Sequence, residues 1–119
     1  MEFVEAPPFT RRLLEYLTED AYRELQARLG ANPEKGDLMP GTGGFRKVRW
    51  ADARRGKGRR GGLRIIYYHF SSDRQIWLMT LYGKDEVSDL TAQQRKALNV
   101  AIEQELAARA AKRRTRLRG

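Results

Sequence analysis

The sequence predicts a small α+β domain: an N-terminal strand and helical hairpin, a three-stranded antiparallel sheet, and a C-terminal helix. Three observations predict it. Leucines and alanines recur at three- and four-residue intervals from Thr10 to Gly30, and a similar apolar stripe follows Thr91. Three blocks between Phe45 and Tyr82 either alternate or run β-branched and aromatic. Glycine, proline and short polar clusters separate the blocks. A chain of 119 residues suits a single core, and residues 1–108 are taken as that domain, with 109–119 as a basic tail.

In chain order, Glu2–Glu5 alternate polar and apolar side chains and form a short strand that Pro7-Pro8 stops. Leu13, Leu14 and Leu17, then Ala21, Leu25 and Leu29, define the hairpin's apolar stripes. Thr18 before Glu19 and Asp20 is a helix N-cap, with the two acids at the positive end of the helix dipole. Gly30 and Asn32-Pro33 end the second helix. Residues 31–44 are turn-rich and close on Gly41-Thr42-Gly43-Gly44, a flexible lead into the sheet. No Gly-Lys-Ser/Thr follows, and a strand comes next, so a nucleotide P-loop is rejected.

Phe45–Trp50 is the first strand of the sheet. Its period of two sets Phe45, Lys47 and Arg49 on one face and Arg46, Val48 and Trp50 on the other. Residues 51–62, ADARRGKGRRGG, hold nothing apolar larger than alanine and predict a long basic connection. Leu63–Phe70 reads as a central strand, Ser71-Ser72-Asp73 as a turn, and Gln75–Tyr82 as the third strand. Thr91 with Gln94 makes a capping box, with Ser88 as a competing cap. After Leu106 the periodicity fades into AARAAKRRTRLRG, either a fraying helix or a disordered tail.

Charge narrows the function classes. The formal net charge is +9, yet residues 1–44 carry five basic and eight acidic side chains. Nine Lys/Arg and one acid, Asp52, lie between Phe45 and Arg64, and six more basic residues lie from Arg109 to Arg118. Charge concentrated in this way predicts a polyanion partner. Cysteine is absent and His69 is the single histidine, which excludes disulfides, thiolate chemistry and Cys- or His-rich metal sites. No apolar run approaches the roughly 20 residues of a membrane span. The start, Met1-Glu2-Phe3-Val4-Glu5, lacks a signal peptide's basic and apolar regions, so a cytoplasmic protein is expected.

Several segments occur in fixed order: Gly41-Thr42-Gly43-Gly44 running into Phe45-Arg46-Lys47-Val48-Arg49, the long basic loop, RGGLRIIYY from Arg60 to Tyr68, and LYGKDEVSDL from Leu81 to Leu90. From about Thr10 to Ala97 the chain resembles the HigB branch of the RelE/ParE toxin superfamily. The resemblance implies a RelE-like fold and the toxin of a bacterial type II toxin–antitoxin pair. Its implied activity is a metal-independent, cofactor-free endoribonuclease that cuts mRNA in the ribosomal A site and so inhibits translation. The RNA 2′-hydroxyl would attack the adjacent phosphate, giving a cyclic phosphate. Implied partners are the ribosome, mRNA and a cognate antitoxin, usually a helix-turn-helix DNA-binding protein. The toxin alone is expected as a monomer, with no membrane association.

Lys47 and Arg49 match the family's Lys-x-Lys pair, and Arg64 matches the arginine that opens the next strand. Asp85 stands where the family has an arginine after Gly-Lys, and Thr91 stands where it has a tyrosine. The residues themselves support the cationic half of such a site. Metal-free phosphoryl transfer requires Lys/Arg around the equatorial oxygens, and side chains two apart on a strand point the same way. Tyr82 and Lys84 are the candidates for proton transfer, with Glu86 close behind. Tyr82 also alternates with Ile76, Leu78 and Thr80, a pattern that suits packing equally. Arg46, Arg54, Arg55, Lys57, Arg59, Arg60 and Tyr68 are candidate RNA contacts, and the Arg109–Arg118 tail a generic phosphate contact. His69, at the far end of its strand, is assigned to structure. Two further function classes stay open at this point: a ParE-like gyrase inhibitor and a non-enzymatic RNA- or ribosome-binding protein.

Overall fold

The computed structural model describes residues 1–52, 56 and 62–118. Three helices and five strands follow in the order β1 (Glu2–Glu5), α1 (Pro7–Tyr16), α2 (Glu19–Ala31), β2 (Asp37–Leu38), β3 (Arg46–Trp50), β4 (Leu63–Phe70), β5 (Gln75–Gly83) and α3 (Ala92–Arg118). The α+β class and the order of helices and major strands agree with the sequence reading. The sheet does not: it is five-stranded and mixed, in spatial order β1-β5-β4-β3-β2. β1 joins β5 in parallel, from Glu2 opposite Gln75 to Glu5 opposite Leu78. β2 adds two residues antiparallel to β3, with Asp37 opposite Lys47 and Leu38 opposite Arg46.

The chain forms two compact units, Met1–Met39 with Phe45–Asp89, and Pro40–Gly44 with Leu90–Gly119. In the first, α1 and α2 cover one face of the sheet. Phe9, Tyr16, Leu17, Leu25 and Leu29 from the helical hairpin pack with Val48, Leu63, Ile65, Tyr67, Ile76, Leu78 and Leu81 from the strands. Pro7-Pro8 starts α1 as well as ending β1, because proline at the first helical positions gives up no intrahelical bond. Leu14, expected on the buried stripe, is instead 70% exposed, and Phe9 supplies the apolar anchor. Thr18 caps α2 as expected, its hydroxyl accepting from the Ala21 amide at 3.1 Å. The Glu5 carboxylate ties three elements, accepting from Thr10 of α1 and Tyr22 of α2, each at 2.7 Å.

Tyr67 fixes the segment before β2. Its buried hydroxyl donates to the Pro33 carbonyl at 2.8 Å and accepts from the Gly36 amide at 2.9 Å. Arg46 reaches the same segment, Nη1 donating to the Glu34 and Gly36 carbonyls.

In the second unit the capping box forms, Thr91 and Gln94 exchanging side-chain bonds with each other's amides at 2.9 and 3.1 Å. Arg95 donates to the Pro40 carbonyl at 3.0 Å. Gly43 has φ +79°, and a Cβ there would meet Asn99 and come within 2.8 Å of Ile102 Cγ2. α3 continues through Arg118, so the basic tail is its last turns, with residues 111–117 all exposed.

Candidate RNA-binding and cleavage site

Strand pairing decides which candidates meet. Residues directly opposite in an antiparallel pair share a face, with Cβ atoms about 5 Å apart. Arg49 lies opposite Arg64, and Arg64 lies opposite Tyr82. One row across β3, β4 and β5 therefore reads Arg49, Arg64, Tyr82, all on the face turned away from the helical hairpin. The next row reads Lys47, Ile66, Thr80. In the third, Tyr68 lies opposite Trp77, with the Phe45 ring 5.5 Å from that of Tyr68 and 6.1 Å from that of Trp77. The face thus grades from a cationic end to an aromatic end along about 13 Å of β4.

Tyr82 reaches this face through an irregularity. Between Ile66 and Tyr67 of β4 the register against β5 shifts, from Thr80 opposite Ile66 to Leu78 opposite Tyr67, leaving Met79 as the extra residue of a β-bulge. Ile76 and Leu78 therefore face the helices, while Thr80 and Tyr82 face away. Simple alternation, which groups Tyr82 with Ile76 and Leu78, fails here because one inserted residue inverts the phase.

Arg64 is 4% exposed. Its Nη1 donates to the Leu63 carbonyl at 3.1 Å. Burial, and secondly the neighbouring Arg49 charge, hold its pKa below the ordinary arginine range. Arg49 is exposed and Lys47 half-buried, so the row is a buried cation with two reachable ones beside it. Like charges placed directly opposite raise each other's energy, and an anion between them lowers it.

Sequence reasoning missed Asp89. Its Oδ1 stands 3.7 Å from Lys47 Nζ, bringing a carboxylate to the edge of the cationic face. Forty-two positions separate the two residues, and no local pattern marks their meeting. Glu86, conversely, is occupied elsewhere. Its Oε1 accepts from the Tyr16 hydroxyl and from the Gly83 amide, the latter at 3.2 Å, and its Oε2 lies 3.8 Å from Arg12. It fastens the end of β5 to α1.

Lys84, just past β5, is exposed, and its amide donates to the Gly62 carbonyl at 3.0 Å. That bond keeps its backbone beside the start of β4, two positions from Tyr82. Tyr68 is half-buried at the aromatic end, its ring 4.7 Å from that of Phe70. Arg46 lies on the helix side, engaged as described. His69 sits opposite Ile76 on the helix side, five residues from Arg64. Arg54, Arg55, Lys57, Arg59 and Arg60 lie outside the described residues.

Among the described residues, no cluster of three or more His, Cys, Asp or Glu side chains could hold a metal ion, and no helix is long and apolar enough to cross a membrane. No protein-family model matches the chain.

Proposed function

We propose that this chain is an endoribonuclease toxin of the HigB/RelE type, cutting mRNA in the ribosomal A site and held in check by a cognate antitoxin. The observation that carries the reading is the Arg49–Arg64–Tyr82 row with Lys47 beside it. Three cations and a phenol on one rigid sheet face suit a scissile phosphodiester, and the likeness to that family in the segments carrying these residues adds to it.

The chemistry follows from the positions. The 2′-oxygen attacks phosphorus as its proton leaves, forming the O2′–P bond. The P–O5′ bond then breaks, and the departing 5′-oxygen takes a proton. Arg49 and Arg64 balance charge on the equatorial oxygens, arginine's planar fork meeting two of them at once. Lys47 adds a point charge and is steered by Asp89. Asp89 is the carboxylate suited to receive the 2′ proton, and Tyr82 or Lys84 the donor suited to the leaving oxygen. The aromatic end, with Tyr68 half-buried, offers a base a stacking surface. A helix-turn-helix antitoxin, a cytoplasmic location and a monomeric free toxin belong to the same reading.

The test uses purified ribosomes programmed with mRNA and primer extension across the A site. The wild-type chain should cut there, and Arg64→Ala should cut about 10²–10³-fold more slowly, the usual cost of one electrostatic stabiliser. Arg64→Met, closer in volume, separates chemistry from folding. If the wild type makes no cut at any A-site codon, the nuclease reading fails. RNA that is bound but left intact would favour a binding protein, and inhibited supercoiling a gyrase inhibitor.

A further inference from the structure

A cavity of about 180 Å³ opens on the helix side of the sheet, lined by Glu24 and Arg28 of α2, Lys35, and Trp50 and Ala51 at the end of β3. The Trp50 indole is half-buried against the core. The Arg28 guanidinium lies 5.8 Å from its ring centroid, at cation–π distance, while Nη2 of the same group meets Glu24 Oε1 at 3.2 Å. Lys35 adds a second cation, so two positive groups and one acid surround a flat π surface. Charge and shape together ask for a ligand with a planar ring and a nearby anion.

We propose that this cavity is a subsite for one nucleotide of single-stranded RNA, its base against Trp50 and its phosphate between Lys35 and Arg28. The inference rests on the RNA reading of the cationic face and extends it around the strand. Trp50 follows Arg49 directly, and alternation sends the two side chains to opposite faces of the same strand end. β2 pairs with β3 only at Arg46 and Lys47. An RNA strand lying over Lys47 and Arg49 thus reaches Trp50 by rounding the end of β3. A peptide carboxylate would use the cations and leave the Arg28–Trp50 contact in place, whereas a base would take the guanidinium's place on the indole and free it for the phosphate. A nucleotide uses both indole and cations.

The experiment titrates the full-length chain with uncleavable 2′-O-methyl oligoribonucleotides of three and eight residues. The octamer should bind Trp50→Ala about tenfold more weakly than wild type, the effect of losing one stacked base, and Trp50→Phe should restore most of it. The trimer, long enough only for the cationic face, should bind wild type and Trp50→Ala alike. Lys35→Gln and Arg28→Gln should each lower the octamer's log–log salt slope by about one.

Equal octamer affinity for wild type and Trp50→Ala overturns the subsite while leaving the RNA reading intact. Failure of the wild type to bind either oligonucleotide sinks the RNA reading itself. An acidic peptide that quenches Trp50 and leaves the bound octamer in place would assign the cavity to a protein ligand and overturn the proposal.

Discussion

Replacing Arg49 with glutamine separates what the cationic row contributes to folding from what it contributes to function. Arg49 is exposed and faces Arg64, which is 4% exposed, straight across the β3–β4 ladder. A like-charge cross-strand pair costs a sheet on the order of 0.2–1 kcal/mol, and one exposed member leaves the value open to screening. Glutamine keeps much of the side chain's length and polarity and removes the repulsion. Arg49→Gln should therefore be as stable as wild type or more stable, by about 0.5 kcal/mol at low salt, with the gap closing near molar salt. Inorganic phosphate should stabilise the wild type more than the variant, since ligand binding to the native state adds to stability. Cleavage should fall by about 10²–10³-fold. Urea unfolding at low and high ionic strength, with and without phosphate, reads the first two effects. A variant less stable than wild type under every condition, or phosphate stabilising both equally, would refute the shared-anion geometry.

Two further perturbations probe the frame. Gly43→Ala should destabilise the chain by about 2 kcal/mol or more, because φ is +79° and the new Cβ would press on Asn99 and Ile102; thermal unfolding and hydrogen exchange in α3 measure it. Alkaline stability should be limited by the buried tyrosines. Burial, then the Glu5 carboxylate, pushes the Tyr22 pKa well above its ordinary value, and burial is also the first cause of the upward shifts of Tyr16 and Tyr67. Below about pH 10 both folded and unfolded chains hold these protons and the contribution is intact; above it the unfolded chain releases them first and stability falls. Tyr22→Phe should make that decline shallower between pH 9 and 11 in urea titrations, and an unchanged slope would contradict the assignment.

Local signals carried most of the secondary structure. The Thr18 cap, the Thr91–Gln94 box and the span Leu63–Phe70 each depend on residues within a few positions of one another, and each stands where the sequence places it. The β3 face was legible for the same reason, since Lys47 and Arg49 need only a period of two. What escaped depends on distant partners. β1 pairs with a strand more than seventy residues away, and β2 is a strand only because β3 lies beside it. Asp89 joins Lys47, and Glu86 leaves the candidate site for Tyr16 and Arg12, through contacts that chain order does not display. Leu14 shows the limit within a helix, where three leucines compete for one stripe and geometry admits only some of them.

The extra residue at Met79 means that β5 serves two masters in sequence: Ile76 and Leu78 before it belong to the core, and Tyr82 after it to the charged side. Because strand residues swap sides one by one, a gene losing that single codon would straighten the strand and leave Tyr82 on the charged side, whereas one gaining a regularly paired codon between Met79 and Tyr82 would turn Tyr82 inward while leaving composition and hydropathy almost untouched. The face that Tyr82 presents is set by the count of residues in β5 and not by their composition.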